Sequence, residues 1–245
     1  MRYGFLFLLA LCQLAPAAIQ HEFIASDESG KQLIYVNEKT GKRWAKPVPR
    51  YARDLQLIGD GKLLHTTLTG FREYNIADGK ITREVTVPGA KRIYSGFRLV
   101  DGRTLLVEAG SGKGYILNKA GKVAKTFCVG GNKLRLVRPT RRGTLLIGAS
   151  DIKEVTLDGK VVRQFNWPDK SVKRVHLFKP VELANGNWAS TIGYRPEYVE
   201  VTPPPLPGEA AKPAAGKIVK RNGFVDKLPK GKTNFYCDWQ RLANG

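Results

Sequence analysis

DGKLLHTTLTGFREYNIADGKITREVTVPGAKRIYSGFRLVDG, residues 60–102, is the stretch whose reading decides the fold. It opens on the turn Asp60-Gly61 and runs through an apolar segment, Leu63 to Leu68. A second segment, Phe71 to Ile76, leads into the turn Ala77-Asp78-Gly79-Lys80. A third, Ile81 to Val87, stops at Pro88-Gly89, and a fourth, Ile93 to Val100, reaches Asp101-Gly102. Four short extended segments, each followed by a turn, have the content of one blade of a β-propeller.

The same beat recurs outward in both directions. Gly-Lys turns stand at Gly41-Lys42, Gly79-Lys80, Gly121-Lys122, Gly159-Lys160 and Gly216-Lys217, each followed by an alternating segment such as Val161 to Phe165. Glycine supplies the positive φ of a tight hairpin, and lysine begins a strand with one face in water. A second set of glycine turns stands at Asp60-Gly61, Asp101-Gly102, Arg142-Gly143, Asn185-Gly186 and Asn244-Gly245, with spacings of 41, 41, 43 and 59 residues. The long interval contains Pro203-Pro204-Pro205, Pro207 and Pro213-Ala214-Ala215. A sheet cannot hold such a stretch, so residues 203–215 are expected as a surface insertion between the third and fourth strands of a blade.

The expected fold class is therefore all-β, a propeller of four-stranded antiparallel blades, with residues 19–245 forming one domain. At the N-terminus, Phe23 to Ser26, Gln32 to Asn37 and Arg43 to Val48 supply second, third and fourth strands with no first strand before them. At the other end, Asn234 to Leu242 reads as an unaccompanied first strand. Pairing the two would close a ring of five blades and remove an exposed edge. The competing account is an incomplete six-bladed propeller, because Asn244-Gly245 reads as a turn introducing another strand.

Residues 1–18 read as a signal peptide: Arg2, the apolar Phe5 to Leu11, and Ala15-Pro16-Ala17 as the cleavage region. Export is expected. Cys12 raises a lipoprotein alternative, but Leu11 stands where a lipobox has a small residue. The remaining cysteines, Cys128 and Cys237, occupy different places in the repeat and are not expected to pair. No Cys-x-x-Cys, no His-x-x-x-His and no carboxylate cluster with metal spacing is present. Formal net charge is +20. The bases are spread over turns and strand ends in runs no longer than a pair such as Arg141-Arg142, which describes a solvated basic exterior rather than a nucleic-acid stripe.

Thr40-Gly41-Lys42-Arg43-Trp44, Asp158-Gly159-Lys160-Val161-Val162 and Leu183-Ala184-Asn185-Gly186-Asn187-Trp188 resemble the repeats of PQQ-like and arylsulfotransferase-like bacterial propellers. Members of that group commonly have six blades. Quinoprotein members dock a tryptophan from each Gly-Lys strand; the corresponding places here hold Trp44, Arg83, Lys125, Arg163 and Lys220. Vicinal cysteines and a calcium-binding carboxylate–amide set are missing too, so no cofactor is expected.

The resemblance implies a ligand site where loops enter the innermost strands around the central channel. Those entries carry Tyr51 and Arg53, Arg92 and Tyr94, Lys133 and Arg135, Arg174 and His176, and Tyr236 and Asp238. Cations and rings converging there suit an anionic or aromatic ligand. The expected function is a monomeric, exported binding or scaffold protein for an anionic small molecule, glycan or protein partner. By similarity to the arylsulfotransferases, the alternative is an enzyme with His176 as central nucleophile and Arg53 and Arg135 as clamps. A packed role suits His65 better, and Asp54 with Asp238 are too few acids for a metal-dependent lactonase.

Overall fold

The computed structural model describes residues 20–130, 134–168, 175–193, 197–210 and 215–223, and every regular element among them is a strand. β1 (Glu22–Asp27), β2 (Gln32–Asn37) and β3 (Lys42–Pro47) form one antiparallel sheet. β4 (Leu55–Gly59), β5 (Lys62–Thr66), β6 (Gly70–Asn75) and β7 (Ile81–Thr86) form the next. β8 (Ile93–Arg98), β9 (Thr104–Glu108), β10 (Lys113–Leu117) and β11 (Val123–Cys128) follow in the same order. So do β12 (Val137–Pro139), β13 (Leu145–Gly148), β14 (Ile152–Val155) and β15 (Val161–Phe165). β16 (Val181–Glu182), β17 (Trp188–Ile192), β18 (Glu197–Val201) and β19 (Ile218–Gly223) complete a five-bladed β-propeller. The signal-peptide stretch and the proposed closing strand at 234–242 lie outside the described residues.

The 60–102 unit is one repeat, but it straddles two sheets. β5, β6 and β7 belong to the second blade, whereas Ile93 onward is the first strand of the third. Asp60-Gly61 and Asp101-Gly102 are therefore hairpins inside blades, and the crossing between blades falls at Pro88 to Arg92. The pairing repeats with the sequence: Leu55↔His65, Gly96↔Leu106 and Val137↔Ile147 are one register moved along by 41 residues each time.

Burial follows position within the blade. The second strands β9, β13 and β17 are buried along their whole length, while the outer strands β3 and β7 alternate exposed and half-buried residues. Apolar residues consequently form slabs between neighbouring blades. Leu33, Ala52, Leu63 and Tyr74 fill the first, and Leu64, Phe71, Ile93, Leu106 and Tyr115 the second. Leu105, Val137, Leu145 and Ile147 belong to the third, and Leu146, Phe165, Trp188 and Val199 to the fourth. Each slab needs both of its blades to exclude water.

A polar clasp repeats around the outside. Trp44 Nε1 donates to the Ile76 carbonyl at 2.9 Å, and an Arg83 guanidinium N–H to the Lys119 carbonyl at 2.8 Å. Lys125 binds Asp158, and Arg163 donates to the Pro204 carbonyl at 2.9 Å. These are the positions where quinoprotein repeats would place docking tryptophans. Here each reaches the segment between the third and fourth strands of the following blade, whether the tip is indole or cation. In the last case that segment is the Pro/Ala-rich stretch joining β18 to β19.

The turn glycines Gly79, Gly121 and Gly159 lie against the outer strand of the preceding blade. A Cβ on Gly79 would come within 2.8 Å of the Trp44 ring, and one on Gly159 within 2.0 Å of the Cys128 carbonyl oxygen. Gly159 has φ +83°, and Gly41 has φ +69° with open space around it. Gly41→Ala should therefore cost only its backbone strain, about 1 kcal/mol. Gly159→Ala adds a collision with backbone and should cost at least about 3 kcal/mol. Paired denaturant titrations check the difference; equal losses would mean that the turns are not wedged beneath their neighbours.

Candidate functional site

Because strands alternate in direction, the crossings into β4, β8, β12 and β16 emerge on one face, together with the β1–β2 hairpin. On that face the entries of the second and third blades come together. The rings of Tyr51 and Tyr94 are 6.1 Å apart. Arg53 lies over Tyr94 at 4.2 Å and 5.7 Å from Tyr51, and Arg92 stands 5.5 and 5.7 Å from the two rings. Arg92 also donates to the Tyr94 hydroxyl at 3.0 Å, and Arg50 lies 5.0 Å from Tyr51. One acid enters the group: Glu28 pairs with Arg53 at 2.7 Å. Three guanidiniums against one carboxylate leave the cluster electropositive, with Arg50 and Arg92 exposed and Tyr94 buried.

The backbone beneath is strained. Tyr51 has φ +69° and Arg92 φ +55°, and the two occupy the same position of successive repeats. A left-handed conformation costs a residue with a large side chain about 1–3 kcal/mol and is held only where surroundings fix it. Here it turns both side chains into one cluster.

Directly below lies a polar knot. Asp54 is 1% exposed and accepts from the Arg138 guanidinium through both oxygens, at 2.6 and 2.9 Å. The Gly96 amide and the Ser95 hydroxyl donate to the same carboxylate, at 2.9 and 3.0 Å. Ser95 Oγ in turn accepts the Val137 amide at 2.9 Å. Asp54 precedes β4, Ser95 sits in β8 and Arg138 in β12, so the knot joins three blades. Among the described residues no group of three or more His, Cys, Asp or Glu is placed to hold a metal, and Asp54 is engaged as an ion-pair partner.

The other expected site residues are distributed as follows. Arg135 stacks over Phe178 at 5.2 Å, a second cation–aromatic contact between entries of neighbouring blades. His176 is buried, and its carbonyl accepts the Gly193 amide at 2.7 Å. Lys133, Arg174, Tyr236 and Asp238 lie outside the described residues, as does Cys237; Cys128 is an exposed free thiol. Arg50, Glu28 and Arg138 were missed. Arg50 adjoins Tyr51, and Glu28 occupies a hairpin on the same face, so the face rule could have found both. Arg138 stands within a strand and carried no such signal.

His65 is fully buried and faces Ser26 Oγ at 3.1 Å, with Nδ1 unpartnered. Burial pushes its pKa down to about 4. Arg72 pushes in the same direction, while the Ala52 carbonyl and Asp54 work against it.

No family model matches this chain, and no curated protein does. Among solved structures it is similar to a protein of unknown function from Bacteroides caccae, with TM-score 0.64 and 16% identity over 84% of this chain and 73% of that one. It is also similar to virginiamycin B lyase from Staphylococcus aureus, with TM-score 0.58 and 14% identity over 74% of this chain and 63% of the lyase. A catalytically inactive H270A form of that lyase with quinupristin gives TM-score 0.56 at 13% identity, over 75% of this chain and 67% of that one. Such identities establish a shared fold. No helix among the described residues is long and apolar enough to cross a membrane.

Two stability measurements follow. Asp54→Ala leaves Arg138 buried without its carboxylate and should cost about 3–5 kcal/mol in denaturant unfolding, with Asp54→Leu/Arg138→Met recovering part of the loss. His65 is neutral in the fold, with a folded pKa below its unfolded value of 6.5, so its contribution is complete above pH 6.5 and declines as pH falls toward 4. Between pH 7.5 and 5 the protein should lose about 2 kcal/mol through this ring. His65→Gln should remove that slope.

Proposed function

We propose that this chain is an exported, monomeric propeller that binds an anionic ligand bearing an aromatic ring on the crossover face. Tyr51 and Tyr94 offer ring surface, while Arg50, Arg53 and Arg92 receive the charge. The observation that carries the reading is the pair of strained residues at equivalent positions of two blades, Tyr51 and Arg92, both turned into one electropositive aromatic cluster. Lys31 and Asp60 take positive φ in hairpin turns, whereas Tyr51 and Arg92 do so at equivalent crossings and meet in one cluster. The similar structure of catalytically inactive virginiamycin B lyase was solved with quinupristin, so this fold is compatible with ligand binding. The repeat resemblance to arylsulfotransferase-like propellers fits the same ligand chemistry.

Calorimetric titration with 4-nitrophenyl sulfate, benzenesulfonate and inorganic sulfate tests the reading. Both aryl anions should bind, and inorganic sulfate at least about tenfold more weakly, because it has no ring to stack. Arg92→Gly should weaken aryl binding about tenfold while leaving the denaturation midpoint unchanged or raised, since it relieves the strained φ. Absence of aryl-anion binding, or binding indifferent to Arg92→Gly, would overturn the assignment. Turnover of 4-nitrophenyl sulfate that is lost in His176→Ala would establish the sulfotransferase-like enzyme instead.

A further inference from the structure

The Pro/Ala-rich insertion has a consequence on the face opposite the crossings. Between third and fourth strands the second, third and fourth blades turn over residues 76–80, 118–122 and 156–160, and the fifth over 202–217. The start of this longer segment, Pro203 to Pro205, lines a cavity of about 330 Å³ between the fourth and fifth blades. Its other walls come from the β12–β13 hairpin, with Arg141 and Arg142, and the β16–β17 hairpin, with Asn187. The volume lies within the range of roughly 300–1,000 Å³ found for small-ligand pockets.

The proline wall is anchored at several points. The Thr202 amide donates to the Lys217 carbonyl and the Gly216 amide to the Thr202 carbonyl, both at 2.9 Å, which closes the neck of the insertion. Arg163, from the fourth blade, holds the Pro204 carbonyl at 2.9 Å. The Leu206 amide donates to Glu209 Oε2 at 3.0 Å, and the Glu209 amide to the Leu206 carbonyl at 2.9 Å. Three consecutive prolines have fixed φ and no amide to satisfy, so this wall is formed before any ligand arrives.

Charge decides what the cavity suits. Arg141, Arg142 and Arg163 line it together with Glu182 and Glu209. Fully buried Glu154 accepts from Arg142 at 3.0 Å and from Arg163 at 2.6 Å. Three guanidiniums therefore meet three carboxylates, a locally neutral place on a chain of formal charge +20. An anion drawn to Arg142 would also meet Glu182 and Glu209, and a cation would meet the arginines. Hydrogen-bonding capacity nevertheless remains. Arg142 reaches Glu154 through Nη2 while its side chain is 43% exposed, which leaves Nε and Nη1 as donors. Asn187 donates to Glu200 through Nδ2 at 2.7 Å, leaving Oδ1 as an acceptor. Glu182 takes the Arg141 amide on Oε2 at 2.8 Å, and Glu209 takes the Leu206 amide on Oε2, so each keeps Oε1. Hydroxyl groups both donate and accept, and a ligand carrying several satisfies this mixed set without adding charge.

We propose that this cavity is a subsite for a neutral sugar. Its hydroxyls bond Arg142, Asn187, Glu182 and Glu209, and one C–H face of the ring packs on the proline wall. The site lies on the face opposite Tyr51 and Arg92 and does not depend on ligand binding there.

NMR titration of the isotope-labelled full chain with maltose, cellobiose, N-acetylglucosamine, glucuronate and glucosamine tests the assignment. At least one neutral sugar should bind saturably, with shifts confined to the amides of Arg141, Arg142, Asn185 to Asn187 and Thr202. The anionic and cationic sugars should bind at least about fivefold more weakly than that one, and raising the salt concentration should leave the neutral affinity unchanged. Glu209→Ala, at an exposed residue outside the sheets, and Asn187→Ala should each weaken binding about fivefold, the equivalent of one hydrogen bond. If Asn187→Ala does not fold, because Glu200 loses a donor, Glu209→Ala decides. Absence of neutral-sugar binding, shifts elsewhere on the molecule, tighter binding of glucuronate or glucosamine, or indifference to Glu209→Ala would overturn the proposal. None of these outcomes bears on aryl-anion binding at the crossover face.

Discussion

The buried pair of Asp54 and Arg138 is the interaction on which the arrangement of the middle blades depends. Sheets in a propeller touch through apolar slabs, and such contacts set distance but tolerate sliding. A carboxylate that must receive a guanidinium from one blade and an amide with a hydroxyl from another tolerates very little. Its bonds to Gly96, Ser95 and Arg138 fix the second, third and fourth blades relative to one another. Desolvating two charges is costly, so the pair contributes uniqueness of arrangement more than net stability. Similar groups work between adjacent blades: Glu73 binds Arg98 at 2.5 Å across the second and third, and Arg141 binds Glu182 across the fourth and fifth.

The cluster of Tyr51, Arg53, Arg92 and Tyr94 lies above this knot and inherits its rigidity. Ala52 and Ile93, which follow the two strained residues, are buried at 1% and 0% exposure, and Asp54 and Ser95 are locked two positions further on. The chain between a buried anchor and a fixed bond has few alternatives, which is how positive φ persists at two residues that would not choose it. In the proposed site, this rigidity would lower the entropy lost on ordering the guanidiniums around a ligand.

The fold was legible because glycine turns and alternating segments obey local chemistry, visible in one stretch such as residues 60–102. The cut between blades was less legible, since Asp60-Gly61 and Pro88-Gly89 both look like strand ends. What separates them is the partner of the next strand, a non-local fact. Tyr51, Arg53, Arg92 and Tyr94 could be read from their shared place in the repeat, and they do meet. Arg138 could not: one arginine among 41 basic residues looks like solvent-facing charge until its buried partner is known. The outer clasps were hidden differently, because Trp44, Arg83, Lys125 and Arg163 share a position and a task but no side-chain type. A repeat that conserves geometry through unlike residues leaves little trace in the letters.

Composition understates how basic the outside of this molecule is. The 21 acidic and 41 basic residues give a formal charge of +20, but the two signs are not equally distributed between core and water. Among the described residues Asp54, Glu73, Glu108, Glu154 and Glu200 are buried, against one buried cation, Arg138. These carboxylates are engaged inside blades and between them. Ser111, the Lys91 amide and Tyr115 together outweigh the burial of Glu108 and hold it below the ordinary carboxylate range. Thr144, Arg163 and Arg142 do the same for Glu154. Acids used as internal ties are poor at neutralising the exterior, and the field there is more positive than the sequence count implies. A net charge of +20 attracts anions to the molecule as a whole and does not by itself select the crossover face. In the proposed site, selection would have to come from the two tyrosine rings that Arg53 and Arg92 flank.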